Sequence, residues 1–329
     1  MLKISTAPHI YSPTDTHTIM RDVIIALVPA GIVAVSLFGL AALITLITSI
    51  AGCVVFEYIC CRLWFKTQNT AKDLSAVVTG ILLAYNLPCN MPIWMTLIGC
   101  FVAIVITKMA FGGIGKNLFN PALVGRVFLF ISFPVQMTTW WSPKLFDFFN
   151  TDVTTSATTL NIIKHVDASS SATQLTKLSE LPDYWQMLIG YTGGSMGEIS
   201  ALALIAGGLY LMYRHVISWH IPVFYLGTFT LLTTAYWLYT GSPAVEPITH
   251  LLSGGLLLGA IFMATDYTTS PMSKKGQVIF AIGCGLLTFV IRRYSSYPEG
   301  VSFAILIMNA FVPLIDKYAH QRIFGTGRK

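Results

Sequence analysis

Four ionisable residues, Asp73, Arg126, Glu198 and Asp266, fall at or near the edges of long apolar runs. A charge held against hydrocarbon is costly, so such residues mark ion or proton paths unless they pair or reach the headgroup layer. Glu198 follows the glycine-rich stretch Gly193-Gly194-Ser195-Met196-Gly197 and is expected to open an otherwise apolar helix. Glu198 and Asp266 are the ion-pathway candidates. The other reactive residue types form no constellation. Cys53, Cys60, Cys61, Cys89, Cys100 and Cys284 contain no CxxC, and most lie in apolar runs, where a thiol packs as a small apolar group. The seven histidines form no HxxxH or HExxH group. No metal site and no catalytic residue is expected from this chain alone, and no nicotinamide-type GxGxxG occurs in a strand-turn-helix setting.

The elements that must position these residues are membrane helices. Only 10% of the 329 residues are charged and 54% are hydrophobic, with a mean hydropathy of +0.69; soluble domains carry roughly 25% charge. Apolar runs lie at 21–39, 40–61, 74–87, 92–107, 122–137, 199–213, 217–239, 251–265, 278–291 and 301–315. They predict an all-α polytopic membrane protein of about ten spans. Several runs are nearer 15 residues than 20, which requires tilt or burial inside the bundle. The net charge of +6 is scattered over loops without a basic stripe, so it reads as topology, and no nucleic-acid partner is expected. No removable signal peptide is expected at the N-terminus.

If sides alternate from a cytoplasmic N-terminus, fourteen Lys and Arg fall inside, while the short outside segments hold only Arg292 and Arg293. This positive-inside pattern puts both termini in the cytoplasm. The Arg pair is expected to snorkel at a helix end. The one long loop, 138–185, falls outside, with net charge −2 and a Ser/Thr-rich composition; Trp140-Trp141 suits an interfacial anchor.

The halves resemble each other at a nearly constant offset. Leu74-Ser75 matches Leu252-Ser253, Phe133-Pro134 matches Val312-Pro313, and Ala30-Gly31 matches Gly207-Gly208, at shifts of 177 to 179. Five spans per copy would insert the second upside down, giving two inverted-topology repeats, with sites near the midplane on short or broken helices. The organisation expected is a first repeat over 1–137, a loop region over 138–198, and a second repeat over 199–329. The spans ending at Asn86-Leu87-Pro88 and Thr265-Asp266 are the broken-helix candidates.

Several stretches resemble the RnfD/NqrB family, whose members serve the Rnf electron-transport complex and the sodium-translocating NADH:quinone reductase. They include Lys72-Asp73-Leu74-Ser75-Ala76-Val77-Val78-Thr79-Gly80, the segment Gly112-Gly113-Ile114-Gly115-Lys116-Asn117-Leu118-Phe119-Asn120-Pro121, and Ser132-Phe133-Pro134. Gly194-Ser195-Met196-Gly197-Glu198, Ala264-Thr265-Asp266 and Pro298-Glu299-Gly300 continue the likeness in order. The opening Ser5-Thr6-Ala7-Pro8-His9-Ile10 resembles the Rnf member more closely.

In that family a separate flavin transferase esterifies a threonine hydroxyl to the phosphate of FMN, at a motif resembling Asp-x-x-[Ser/Thr]-x-Ala-Thr-x-Leu. Two copies stand in the loop, Asp152 to Leu160 with Thr158 and Asp167 to Leu175 with Thr173; both have serine before the alanine, where many members have glycine. Thr173 is preferred because Val166 precedes its aspartate and Glu180-Leu181-Pro182 follows closely; Thr158, with Lys164 six residues on, is the alternative. The resemblance implies a flavoprotein component of a bacterial inner-membrane Rnf-type translocase, contacting other subunits and membrane lipid. It would relay electrons between ferredoxin- and NAD-side partners, coupled to Na+ or H+ transport, with a periplasmic flavin loop. A non-covalent riboflavin, held by the quinone-reductase relative, is also implied. The rival reading from the residues alone is a channel or secondary transporter without redox chemistry.

Overall fold

A computed structural model describes residues 15–65, 73–145, 154–167, 181–198, 200–241, 246–295 and 299–319. The first helix, α1 (Thr16–Cys60), starts where the Asp15 carboxylate accepts the Thr16 amide at 2.7 Å. It is broken at Gly39, whose φ of 63° and ψ of −143° suit only a residue without Cβ. Val28 and Ile32 before the break line one cleft with Leu46 and Ile50 after it, so the arms fold back on each other. A single glycine thus makes the turn between the expected spans 21–39 and 40–61. Then follow α2 (Ser75–Tyr85), α3 (Ile93–Phe101, continued as a π-helix over Val102–Met109) and α4 (Pro121–Ser132). Asn120 caps α4, its side-chain oxygen accepting the amides of Ala122 and Leu123. The expected span 122–137 stops at Ser132: Pro134 lacks an N–H and drives Phe133 to φ −131°, ψ 60°, leaving a one-turn helix, α5 (Pro134–Met137).

The described part of the 138–198 stretch is folded. A short antiparallel pair, β1 (Trp140–Trp141) with β2 (Thr155–Ser156), is followed by α6 (Thr159–Asp167) and α7 (Tyr184–Ile189). The strand pairing draws Trp140 inward to 7% exposure, so it is a packing residue and not the interfacial anchor expected from its type.

The second half has α8 (Ala201–Tyr213), α9 (His220–Thr240), α10 (Pro247–Leu252), α11 (Leu256–Leu258, continued as a π-helix over Gly259–Met263), α12 (Lys274–Tyr294) and α13 (Val301–Tyr318). The expected span 251–265 is therefore also divided, at Gly254, where φ is 68°. Among the described residues, four helices are long and apolar enough to cross a membrane: the broken Thr16–Trp64, His220–Thr240, Lys274–Tyr294 and Val301–Tyr318. Four shorter apolar helices, Ser75–Tyr85, Ile93–Met109, Pro121–Ser132 and Ala201–Tyr213, pack among them. Ile32, Leu202, Val223 and Leu231 point outward, an arrangement that suits hydrocarbon. The protein is an all-α, multi-pass membrane protein.

The first half runs through the two arms of α1, then α2, α3 and α4, and the second through α8, α9, the divided α10–α11, α12 and α13. Gly31 sits against the Tyr85 hydroxyl, Gly207 against Ala26 O and the Phe262 ring, and Gly208 against Ile261.

Candidate functional site

Arg126, buried in α4, gathers acceptors from four segments. Its Nη1 donates to Asn86 Oδ1 at 2.9 Å and Ser302 Oγ at 2.8 Å. Its Nη2 donates to Glu198 Oε1 at 3.4 Å and to Glu299 Oε2. Asn86 closes α2, its side-chain amide also donating to Leu82 O at 2.6 Å. Glu198 lies in the turn before α8; the Gly197 amide donates to Tyr85 O at 2.8 Å, and a Cβ on Gly197 would overlap the Tyr85 ring. Ser200 caps α8, with its hydroxyl accepting the Ala203 amide. Glu198 therefore does not open that helix as expected. A short hydroxyl can serve the helix end locally, whereas the longer carboxylate turns in to the buried guanidinium.

Arg292 also departs from expectation. It does not snorkel: it is 8% exposed, lies over the Phe229 ring, and donates to His250 O at 2.7 Å and Ser253 O at 3.1 Å. Carbonyls at the end of α10 have no helical partners, and the cation supplies them.

A second cluster sits at the other end of α2, about 16 Å away along an eleven-residue helix. Lys108 Nζ donates to Glu57 Oε2 and to Ser75 Oγ, both at 2.7 Å. Lys108 is 3% exposed and Glu57 fully buried. Lys108 is one of the fourteen Lys and Arg assigned to the inside, and the sequence signal for Glu57 is a single Glu within the apolar run 40–61. Lys108 and Ser75 line a cavity shared with Asn117, Asp266 and Thr268. The Asp266 carboxylate accepts from the hydroxyls of Thr268 at 3.0 Å and Thr269 at 3.2 Å. A further polar network links the start of α4 to the end of the α11 extension and to α13. Asn120 donates to Met263 O at 3.2 Å, and Asn309, oriented by its network, accepts from the Asn120 amide and donates to Ile305 O and Thr269 O.

Thr158 stands at the N-terminus of α6, its hydroxyl accepting the Asn161 amide at 3.3 Å. It shares a narrow cleft with Gly193, Gly194, Glu198, Ser253 and Glu299. On the same helix, Lys164 donates to Ser295 O, and partial burial lowers its pKa from the ordinary lysine value. The fold thus joins Thr158 to Glu198 and places Asp266 in the other cavity. Thr173 lies outside the described residues. The six cysteines are buried with free thiols.

Short helices inside a bundle of longer ones, with buried ionic clusters at both ends of one of them, define a polytopic membrane protein built around a polar centre. The chain belongs to the NQR2, RnfD, RnfE family, which it matches over residues 3–325. It is 45% identical over 327 residues to the D subunit of the Na(+)-translocating ferredoxin:NAD(+) oxidoreductase complex of Acetobacterium woodii, covering 99% of this chain and 96% of that protein. It is 45% identical over 325 residues to the D subunit of the proton-translocating ferredoxin:NAD(+) oxidoreductase complex of Clostridium ljungdahlii, with the same coverage. Identity to the D subunit of the ion-translocating oxidoreductase complex of Halorhodospira halophila is 38% over 349 residues, covering 100% and 97%.

Proposed function

We propose that this chain is the D subunit of an Rnf-type complex, an electron-transfer component that works only with its partner subunits and couples electron flow to Na+ or H+ transport. The observation that carries the reading is the whole-length likeness to two such D subunits at 45% identity. The inside excess of Lys and Arg supports a bacterial inner-membrane protein with both termini in the cytoplasm and the 138–198 region in the periplasm.

The proposal includes one FMN esterified to a loop threonine. Sequence context favours Thr173, whereas local geometry supports Thr158. A phosphate on Thr158 Oγ1 would lie at the N-terminus of the nine-residue α6, where free amides and the helix dipole favour an anion. Gly193 packs against Ser156 so closely that any side chain there would collide, which keeps this wall of the cleft thin. Thr158 is 8% exposed, so the flavin transferase would act before α6 seats. Thr158 is the residue proposed, and Thr173 is the alternative.

When bound, the flavin supplies the electron-carrying chemistry, and the protein sets its position and surroundings. Here Thr158 would anchor the group, α6 would neutralise its phosphate, and Arg126 would hold Glu198 and Glu299 in fixed positions beside it. A non-covalent riboflavin is the second cofactor proposed. The cavity wall of Asn117, Thr268 and Asp266 offers amide, hydroxyl and carboxylate groups to a polar heterocycle, with Phe262 and Leu82 for its faces.

The short broken helices also suit a channel or secondary transporter without redox chemistry, the competing reading. Intact mass of the chain from its native membrane, followed by peptide mapping of 138–185, separates the two. One added FMN supports the flavoprotein reading and identifies the threonine. An unmodified chain from cells that contain the transferase overturns it in favour of the transporter.

A further inference from the structure

We infer that the cleft between the two arms of α1 binds one anionic phospholipid, with an acyl chain lying in the cleft and the phosphate held by Arg21. The site does not depend on the redox function proposed above.

The shape of the cleft suits a single chain. About 520 Å3 in volume, it is walled by Val28, Ile32 and Val35 on the first arm and by Leu46 and Ile50 on the second. Its floor is α2, through Ile81 and Tyr85. From Ile24 to Ser36 it follows the helix for about 18 Å, at 1.5 Å per residue. Half the hydrocarbon thickness of a bilayer is about 15 Å, so a chain from one leaflet fits along it at full length. Val28 and Ile32 are 47% and 66% exposed, which opens the cleft toward the hydrocarbon. Gly31 sets its depth, because a Cβ there would meet the Tyr85 hydroxyl at 2.6 Å.

Its walls offer little to a polar occupant. The Tyr85 hydroxyl already donates to Leu27 O at 2.7 Å, and the Ser36 hydroxyl to Val33 O at 2.8 Å. A ring carrying carbonyls would bury them here without donors, which is costly. A hydrocarbon chain has no such groups to satisfy.

Charge stands at one end. His17, Arg21, Ile24, Val28, Ile32 and Val35 recur on α1 at spacings of three and four, so Arg21 shares the cleft's face of the helix just beyond its end. The Arg21 side chain is 54% exposed and comes no nearer than 3.9 Å to Asp22, whose other oxygen pairs with Arg214 at 3.2 Å. Most of its donors therefore face outward, in the planar fork that binds a phosphate through two parallel N–H groups. Exposed His17 stands one turn further out. With the N-terminus in the cytoplasm, Arg21 lies at the leaflet whose surface potential is negative. A second exterior groove, along Leu226, Thr230 and Leu238 of α9, has no Lys or Arg on its helix and provides an apolar comparison.

The test reconstitutes the whole complex in phosphatidylcholine vesicles doped with a phosphatidylglycerol, or a phosphatidylcholine, that carries a diazirine in its acyl chain. After illumination, peptide mapping compares labelling of 24–36 with labelling of 226–238. The phosphatidylglycerol probe is expected to label 24–36 at least fivefold more than the phosphatidylcholine probe, and the two to label 226–238 alike. Arg21→Gln should remove the preference, and Arg21→Lys should keep most of it. Val28→Trp, which fills the cleft, should lower labelling of 24–36 by both probes at least fivefold. Equal labelling of 24–36 by the two probes overturns the inference, because ordinary bilayer lipid then fills the cleft. No labelling there overturns it as well, because a neighbouring subunit then covers the arms. A preference that survives Arg21→Gln overturns the phosphate site, and full labelling of Val28→Trp overturns the chain's place in the cleft. If a variant does not assemble, the wild-type ratio decides the matter.

Discussion

Asn86 and Met263 stand 177 residues apart in the chain and touch, with the Asn86 amide nitrogen 3.7 Å from the Met263 sulfur. The separation equals the spacing at which the two halves resemble each other, and both residues end short helices. Arg126 donating to Ser302, at a separation of 176, also crosses from the first half to the second. The polar centre is therefore built by both halves together, and neither could complete it alone.

Arg126 is the only cation bonded to Glu198 and Glu299 among the described ion pairs. Arg126→Met would strand both carboxylates, and loss of one partner from a buried pair costs about 3–5 kcal/mol. The expected outcome is a sharp fall in the melting temperature of the purified complex, with Arg126→Lys intermediate because one ammonium cannot reproduce the guanidinium's geometry. An unchanged melting curve for Arg126→Met would show that the cluster contributes little.

Thr158→Val should abolish covalent flavin while leaving the β1–β2 pairing in place, because the new side chain has the same shape without the hydroxyl. In-gel flavin fluorescence and peptide mass read the result. Retained flavin in this variant, lost instead in Thr173→Val, would move the attachment to the second copy.

Glu198→Gln removes a charge but keeps the shape and an acceptor facing Arg126. Assembly is expected to persist while ion coupling or electron flow is impaired. Normal coupled activity in the assembled variant would remove Glu198 from the ion path.

Gly39→Ala tests the hairpin. At φ 63° and ψ −143° a Cβ is strained, and such conformations cost of order 1–3 kcal/mol. Lower expression and a lower melting temperature are expected, and an unaffected protein would mean that the turn tolerates a side chain.

Much of this was legible in the order of residues. Long apolar runs specify helices in a membrane whatever they pack against, because each helix satisfies its own backbone. The break at Gly39, between the runs 21–39 and 40–61, is local as well, since it follows from a glycine's missing Cβ; the break at Phe133, inside the span expected over 122–137, was not read, although Pro134's missing N–H is a local cause. Glu198 could be singled out because a lone acid beside apolar sequence is conspicuous, and Asn86-Leu87-Pro88 advertised the end of a short helix.

Partnership was a matter for the tertiary structure. Glu57 and Lys108 are 51 residues apart and pair only because the second arm of α1 lies against the π-helical extension of α3. Arg126 meets Glu198 across 72 residues and Glu299 across 173. Local sequence cannot name such partners, because a buried charge is satisfied by whichever element the packing brings within reach. The same reason separates Glu198 from Asp266, alike in sequence but placed by the fold in different cavities, one beside Thr158 and the other beside Lys108. The residue types and their apolar setting were the sequence's own contribution, and their assembly into two clusters came from the packing of the helices.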